Sequence, residues 1–478
     1  MSALSSPLET SQIFRPLCNG DWPIYRRDCI EYATFYAPGY LCIVDLAGAE
    51  RFESALRSSQ VELSPETGLS EQGFNCAIEL CRHARRAQLS ATRLWDEPFE
   101  PECLTLYLNN ECNLRCVYCY ADPSPRPTAR LELDVIAAAA HLVAENCRRK
   151  ERPFYIVFHG GGEPTLHGGR MASALTLLEK IATEHHVQPW RYVATNGVMS
   201  KEKAIWLAHH FDLIGLSCDG PTDLQNSQRP LGNGKGTGPT IERTAHILCE
   251  EGCRFHVRAT ITSKSLRRQA EIAAYICRQL APEQIHFEPI YIGGRAARAD
   301  KPDADLADEF VVHFLEAREI ARQYGAPLSS SGSRLDEIHG LYCHVFRHVL
   351  NLVPGGVATG CFKVTDAARA AEKGVLIGAA SRESGEFEIH DRRVQELRRQ
   401  LGVIPRECKD CFNRYHCARE CPDRCPLDTG SLQVEAGFRC QLQKALVAAM
   451  LRKTAEELWM AAMQPPDSDG EKVYGILL

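Results

Sequence analysis

The chain has 478 residues, more than one compact core holds, and about three domains are expected at this length. Its net charge of -6 gives no electrostatic reason to expect nucleic acid or an acidic membrane as a partner. No segment approaches the ~20 apolar residues of a membrane span, and the first residues show no secretory signal. We therefore expect a cytoplasmic protein with 22 cysteines, of which those that occur in clusters bind metals rather than form disulfides.

Residues 1–100 form a predicted small N-terminal domain. An apolar strand is expected at 40–45, helices at 50–58 and 70–89, and a linker at 96–101. Periodicity alone does not decide whether this domain docks a peptide partner or caps the edge of the next domain.

Residues 101–330 show six strand patterns that alternate with helical patterns. Strands are expected at 104–108, 154–159, 191–195, 213–217, 255–262 and 284–290, and helices at 131–149, 170–185, 201–210, 240–251 and 266–280. This alternation predicts an α/β fold with a parallel sheet and right-handed crossovers. Six units rather than eight indicate a partial (βα)6 barrel, whose functional groups should lie at the C-terminal ends of the strands.

The loop after the first of these strands contains Cys112, Cys116 and Cys119, separated by three and then two residues. Three thiolates can hold a four-iron cluster, but they leave one iron without a protein ligand. Electron carriers usually close such a cluster with a fourth cysteine. The open iron therefore indicates substrate chemistry, and zinc is the competing metal for cysteines at this spacing.

This loop, with the aromatic Tyr118 before its last cysteine, resembles the signature of the radical S-adenosylmethionine (radical SAM) superfamily. The resemblance covers roughly residues 103–295. It implies that the open iron binds S-adenosylmethionine and that reductive cleavage yields a 5′-deoxyadenosyl radical, which takes hydrogen from the substrate. The protein would position the reactants and exclude water.

The same resemblance assigns a binding pocket for S-adenosylmethionine. The assigned residues are the glycine-rich loop Gly160, Gly161, Gly162 and Glu163, the strand-end groups Thr195, Asn196 and Ser217, the carboxylate partner Arg258, and the adenine neighbours Tyr118 and Ile290. Glycines allow close backbone approach, and a guanidinium suits bidentate capture of a carboxylate. A surface ion pair is the alternative for Arg258, and a core position is the alternative for Ile290.

Two carboxylates at predicted strand ends, Asp219 and Glu288, are candidate proton acceptors. Asp219 could equally cap the turn that follows it.

Residues 331–445 contain a second cysteine array, which resembles the SPASM extension of the superfamily and implies two auxiliary four-iron clusters. Carried over by position, one cluster is bound by Cys408, Cys411, Cys417 and Cys440, and the other by Cys343, Cys361 and Cys421. The second set has only three thiolates, so that site is open, uses Cys425 or uses a non-cysteine ligand. A zinc ribbon is the alternative. Residues 446–478 are expected to be a final helix and a polar tail.

SPASM relatives mostly modify peptides, so the resemblance implies a peptide or protein maturase with S-adenosylmethionine and three [4Fe-4S] clusters. Within that class we favour thioether cross-links from cysteine, and the layout is compatible with the maturation enzyme of quinohemoprotein amine dehydrogenase. The alternatives are carbon–carbon cross-linking, epimerisation and formylglycine formation. Hypotheses of other classes are a non-catalytic iron–sulfur electron-transfer scaffold and a zinc-stabilised peptide-binding module. Expected partners are a peptide substrate and a ferredoxin or flavodoxin electron donor.

Overall fold

The computed structural model describes most of the chain. The described residues are 14–17, 22–58, 67–93, 97–123, 129–290, 293–298, 306–331, 335, 337–338, 344–381, 383–402, 404, 408–417, 438–463 and 472–478. Cys343, Cys421 and Cys425 lie outside them.

The N-terminal part forms an antiparallel sheet with two helices against one face. Its elements are β1 (Arg15–Pro16), β2 (Tyr25–Asp28), β3 (Tyr32–Ala37), β4 (Tyr40–Asp45), α1 (Leu46–Ser58) and α2 (Glu71–Arg93). Every residue of β3 is buried, because α1 and α2 cover one face of the sheet and a later helix covers the other. The tight turn from β3 to β4 needs Gly39, whose φ is +92°.

The middle of the chain builds six parallel strands connected by helices. The elements are β5 (Cys103–Tyr107), α3 (Leu133–Lys150), β6 (Phe154–His159), α4 (Gly168–Glu184), β7 (Pro189–Thr195), α5 (Lys201–His210), β8 (Leu213–Ser217), α6 (Thr222–Gln228), α7 (Gly238–Glu250), β9 (Phe255–Ile261), α8 (Gln269–Tyr275) and β10 (Gln284–Pro289). Consecutive strands from β5 to β10 all pair in parallel. Alternate residues such as Ile156 and Phe158 pack under the helices, so the residues between them face the barrel interior.

The region after β10 extends the same sheet at both edges. Its elements are α9 (Leu306–Gln323), β11 (Leu328–Ser329), β12 (Val349–Val353), β13 (Val357–Thr359), α10 (Ala367–Glu372), β14 (Leu376–Ala380), β15 (Phe387–Ile389) and α11 (Asp391–Gly402). β11 joins β10, and β12 pairs in parallel with β5 on the side away from β6. The cysteine-rich region therefore begins as a continuation of the barrel sheet.

The last elements return to the N-terminal sheet. Helix α12 (Phe438–Ala462) packs against its second face, and strand β16 (Val473–Leu477) pairs with β4. The expected boundary between residues 445 and 446 falls inside α12, and a strand lies where a polar tail was expected. No described helix is both long and apolar enough to cross a lipid bilayer.

Candidate functional site

The cysteine loop follows β5 and is held by backbone contacts from two other loops at the same end of the barrel. The amides of Arg115 and Val117 donate to the carbonyls of Pro230 (2.8 Å) and Gln228 (2.9 Å). Arg295 donates through Nε to the carbonyl of Cys116 at 2.9 Å. Residues after β8 and after β10 therefore fix the loop, as expected for groups at strand C-termini.

Tyr118 joins this loop to β8 through a buried polar network. Its hydroxyl bonds to both carboxylate oxygens of Asp219, at 2.7 and 2.9 Å, and accepts from Arg229 Nη1 at 2.7 Å. Asp219 also accepts from Gln228 Nε2 at 2.8 Å and from the amide of Thr260 at 3.0 Å. The network fixes the position of the aromatic ring beside Cys119.

Asp219 is fully buried, and its oxygens already accept several hydrogen bonds. Burial raises the pKa of this carboxyl, while Arg229 opposes the increase. A carboxylate held this way has little room to meet a substrate, so the geometry favours a positioning role over the role of proton acceptor.

The glycine-rich loop packs directly on the start of the cysteine loop. A Cβ on Gly161 would overlap the side chains of Asn110 and Thr365, and a Cβ on Gly162 would overlap the backbone of Glu111. These two glycines are therefore required by close packing, whatever else the loop binds.

Glu163 connects the ends of β6 and β7. Its carboxylate accepts from the hydroxyls of Thr165 at 2.6 Å and Thr195 at 2.7 Å, and from the backbone amide of Asn196 at 2.8 Å. Three of the predicted pocket residues are thus brought together. Glu163 and Thr195 therefore face each other across the ends of β6 and β7.

The thiol of Cys112 lies among groups that suit a sulfur ligand. It accepts from the amide of Leu114 at 3.4 Å and from Asn196 Nδ2 at 3.8 Å. Burial raises the pKa of Cys112 to about 12, and Glu163, Cys116 and Cys119 add to the increase. All three loop cysteines pack in one small cluster. Metal ligation needs these groups as thiolates. Hydrogen bonds to sulfur and a buried loop match the surroundings that tune an iron–sulfur cluster. Within the described ranges, no three ligating side chains form a ready site for a single metal ion.

Ile290 and Ser217 occupy the two other predicted positions at the mouth. Ile290 is buried in a small cluster with Leu114, Cys116 and Tyr118, so it lies against the cysteine loop. Ser217 ends β8 opposite Arg258 of β9 and is partly exposed.

Arg258 and Glu288 meet inside the barrel, 3.7 Å apart. Glu288 is buried and also pairs with Arg439 of α12 and with His286 Nε2 at 2.9 Å. Burial alone would raise the pKa of Glu288, but Arg439, His286 and Arg258 outweigh it and hold the pKa well below its usual range. Glu288 is thus a structural anion, whereas the Arg258 side chain stays 47% exposed and faces the interior.

The interior also contains aromatic and imidazole side chains that the motif assignments missed. Tyr192 Oη lies 3.2 Å from His256 Nε2, across Gly215 of the intervening strand, where a Cβ would overlap both groups. His159 stacks on Tyr107 at 6.0 Å. Burial, aided by the charge of Arg258, lowers the pKa of His159 to about 4. The alternation of strand residues was the available signal for these positions.

The cysteine-rich region contributes four described thiols near the start of α12. They are Cys408, Cys411 and Cys417 on one loop and Cys440 in the first turn of α12. We call these four residues the four-cysteine group. Its loop contacts the N-terminal sheet, where Tyr25 donates to the carbonyl of Cys411 at 3.1 Å and Tyr36 Oη lies 2.6 Å from His416 Nε2.

Cys361 is the one described member of the other predicted ligand set, since Cys343 and Cys421 lie outside the described residues. Burial raises the pKa of Tyr120 to about 12, and both Cys119 and Cys361 contribute. Tyr120 is therefore within electrostatic range of both thiols.

Comparison with known families and proteins gives independent support for the predicted radical SAM domain. Residues 106–263 match the family model of the Radical SAM superfamily. The cysteine-type anaerobic sulfatase-maturating enzyme of Clostridium perfringens is 26% identical over 169 residues, which are 34% of this chain and 45% of that enzyme. The serine-type anaerobic sulfatase-maturating enzyme of Klebsiella aerogenes is 24% identical over 65% of this chain and 77% of its own length. This chain therefore spans less than half the length of the Clostridium enzyme that it matches.

Solved structures show a similar architecture. Native anSMEcpe with bound AdoMet has a TM-score of 0.57 at 17% identity, over 74% of this chain and 99% of that chain. Streptococcus suis SuiB bound to precursor peptide SuiA has a TM-score of 0.50 at 13% identity, over 83% and 95% of the two chains. At these identities the likeness shows the fold, and it confirms the predicted fold class together with the six parallel strands.

Proposed function

Since the chain carries a radical SAM domain, we propose that it is a radical SAM oxidoreductase that modifies a ribosomally made peptide or protein. The observation that carries this proposal is the meeting of three features at one barrel mouth. The cysteine loop, the glycine-rich loop and the half-exposed Arg258 all open on the same interior. An iron–sulfur protein that only carries electrons does not need a binding site for S-adenosylmethionine.

When bound, S-adenosylmethionine and a [4Fe-4S] cluster supply a 5′-deoxyadenosyl radical, and the chain's own residues prepare its surroundings. Tyr118, Asp219 and Arg229 brace the cysteine loop. Glu163 holds the ends of β6 and β7 together, and Arg258 offers a cation for the methionine carboxylate. Interior groups such as Tyr192 and His256 line the space for a substrate.

The finer proposal is thioether formation between a cysteine sulfur and an unactivated carbon. Its support is the position of Cys361, which lies near Tyr120 and the cysteine loop. With only three thiolates proposed for that auxiliary site, one iron is available for a substrate thiolate. Ferredoxin or flavodoxin is the proposed donor, and the cytoplasm the proposed compartment.

Formylglycine formation is the second candidate, and the sulfatase-maturating relatives support it. Mass spectrometry of a peptide encoded beside this chain separates the two products. A thioether retains sulfur and loses two hydrogens, whereas formylglycine made from cysteine loses two hydrogens and also exchanges sulfur for oxygen. Epimerisation leaves the mass unchanged.

The activity is tested by anaerobic reconstitution with iron, sulfide, S-adenosylmethionine and dithionite. We expect the parent protein to release 5′-deoxyadenosine, and the triple variant of Cys112, Cys116 and Cys119 to alanine to release none. Cys249→Ala, which changes an exposed cysteine on α7, is the matched control and should behave as the parent does. Equal release by the triple variant would contradict the assigned cluster site, and no release by the parent would favour a scaffold.

A further inference from the structure

Two neighbouring strands at one edge of the barrel sheet place a serine, a histidine and a glutamate in a hydrogen-bonded line. His286 of β10 is paired in register with Ser329 of β11, and its Nδ1 lies 3.1 Å from Ser329 Oγ. Its Nε2 lies 2.9 Å from Glu288 Oε2 and 3.4 Å from Ser331 Oγ. The side chain of His286 is 25% exposed, whereas that of Glu288 is 4% exposed. The imidazole is therefore accessible, and the carboxylate is buried behind it.

This line faces the barrel interior. Ile285 and Phe287, the neighbours of His286 along β10, pack under the helices, so His286 points to the other side of the strand. His286 is also paired in register with Arg258 of β9, the residue proposed to hold the methionine carboxylate. The imidazole therefore lies one strand away from the proposed position of the cofactor.

The low pKa of Glu288 fixes where the imidazole carries its proton. An ionised carboxylate only accepts hydrogen bonds, so Nε2 of His286 donates to Glu288. In the neutral imidazole, Nδ1 then has the lone pair and accepts from the hydroxyl of Ser329. The carboxylate also stabilises the imidazolium that forms when Nδ1 takes up a proton.

The other two histidines described in the interior are weaker proton acceptors. Burial lowers the pKa of both His159 and His256 to about 4, and the charge of Arg258 adds to the decrease. His256 Nε2 is also engaged with the hydroxyl of Tyr192. Among the described residues, neither ring has a carboxylate partner of the kind that Glu288 provides for His286.

We propose that His286 accepts, through the hydroxyl of Ser329, the proton that the substrate loses when its radical is oxidised. This inference rests on the proposed function. It gives Glu288, a candidate proton acceptor from the sequence, the role of orienting the imidazole that takes the proton. We call Ser329, His286 and Glu288 the proton relay.

Both products considered above require such an acceptor. One hydrogen atom leaves a substrate carbon for the 5′-deoxyadenosyl radical, and one electron leaves the resulting substrate radical for an oxidised iron–sulfur cluster. The S–H bond of the substrate cysteine breaks, and its proton goes to Ser329 Oγ while the serine proton goes to His286 Nδ1. A carbon–sulfur bond forms in the same step, as the thioether or as the thioaldehyde that water converts to formylglycine.

The test compares peptide product and nucleoside in one anaerobic reaction. The reconstituted full-length chain receives the peptide encoded beside it, S-adenosylmethionine and dithionite, and mass spectrometry gives the modified peptide per 5′-deoxyadenosine released. The variants are His286→Gln, whose amide can still donate to Glu288, Ser329→Ala and the double variant. His313→Gln is the matched control, because His313 of α9 has the same 25% side-chain exposure and pairs with Glu316.

We expect His286→Gln to lower the modified peptide per nucleoside about a hundredfold, the usual contribution of a general base. Nucleoside release, iron content and urea unfolding of the iron-free protein should stay at the parent values, and His313→Gln should match the parent throughout. Ser329→Ala should also lower the ratio. The double variant should fall no further than His286→Gln, because members of one relay act as a unit.

The pH dependence separates a lost proton acceptor from a misplaced substrate. Above about pH 7 the charged neighbours of the relay, which are Glu288, Arg258 and Arg439, stay ionised, and His256 stays neutral. The remaining ratio of His286→Gln should nevertheless rise with pH, because more of the substrate thiol is already ionised, while the parent ratio stays level.

A parent-like ratio in His286→Gln, or a loss that is the same at every pH, would overturn the inference. So would losses that add up in the double variant. If His286→Gln does not retain iron, Ser329→Ala decides, since a lowered ratio supports the relay and an unchanged ratio contradicts it. No nucleoside from the parent would instead count against the proposed function.

Discussion

Glu288 lies where the barrel interior meets α12, and its environment makes stability depend on pH. The carboxylate is buried between Arg439, His286 and Arg258, so its pKa is well below the ordinary value. A depressed pKa contributes stability above the unfolded-state pKa of about 4.3, and that stability is lost as pH falls toward the folded-state value. The stabilisation is therefore fully present at pH 7.

We expect Glu288→Gln to lower the free energy of unfolding by about 3 kcal/mol at pH 7, because it removes the buried anion that pairs with Arg439 and Arg258. Urea unfolding of the iron-free protein measures this. The difference from the parent should narrow as pH falls below about 4, because the unfolded parent chain takes up a proton at this carboxyl there while the folded chain still holds the carboxylate ionised. Glu283→Gln breaks the exposed pair with Arg254 and should cost less than about 1 kcal/mol. Equal effects of the two substitutions would show that Glu288 is not a buried anion.

At the scale of elements, the glycine-rich loop is the best place to test how the barrel mouth is assembled. A Cβ on Gly162 would occupy the space of the Glu111 backbone, immediately before Cys112. We expect Gly162→Ala to push the two loops apart and to reduce release of 5′-deoxyadenosine at least tenfold, about 1.4 kcal/mol in barrier. Gly169, in the first turn of α4, has no heavy atom within 4 Å of an added Cβ.

Gly169→Ala is therefore the matched control, and it should keep full activity with equal or slightly higher stability, because alanine is the better helix former. Nucleoside release and iron content, measured side by side, distinguish a displaced loop from general unfolding. If Gly162→Ala is as active as Gly169→Ala, close packing is not what this glycine provides.

The six parallel strands β5 to β10 and the helices α3, α4, α5, α7 and α8 could be predicted because their patterns are local, whereas α6, α9 and β11 were not predicted. Each β-strand there is a short apolar run ended by glycine or polar residues, and each helix has its own buried stripe. The strand Val473–Leu477 could not be predicted, because it is stabilised by pairing with β4 from the far end of the sequence. The partners of Glu288 were missed for the same reason, since Arg439 follows it by 151 residues.

The candidate site divides in the same way into features that local patterns predict and features that depend on distant parts of the chain. Cysteine and glycine motifs gave the position of the loops, because spacing is a local property. The roles of Asp219 and Glu163 depend on which donors fold around them. Motif spacing cannot separate a carboxylate that meets a ligand from one that accepts hydrogen bonds from Tyr118 or Thr195.

At the scale of the whole molecule, the N-terminal sheet is packed as part of the cysteine-rich region. Helix α12 carries Cys440 in its first turn and Trp459 near its end, and the ring of Trp459 stacks on Tyr32 of β3 at 5.0 Å. Tyr25 bonds to the backbone at Cys411. The sheet thus contacts the four-cysteine group at one end of the helix and anchors the helix at the other. A structural role is therefore supported, and peptide docking on the same sheet stays a compatible proposal.

This arrangement predicts that loosening the sheet weakens cluster binding at a distance. Trp459 is 8% exposed, and its neighbour Met460 is 65% exposed on the same helix. Replacing a buried tryptophan with alanine costs about 3–5 kcal/mol, so Trp459→Ala should partly detach the sheet from α12. We expect faster proteolysis at residues 97–101 and lower iron content per chain after reconstitution, whereas Met460→Ala should match the parent in both. Iron content that is the same in both variants, despite faster proteolysis of Trp459→Ala, would show that the four-cysteine group holds its shape without the sheet.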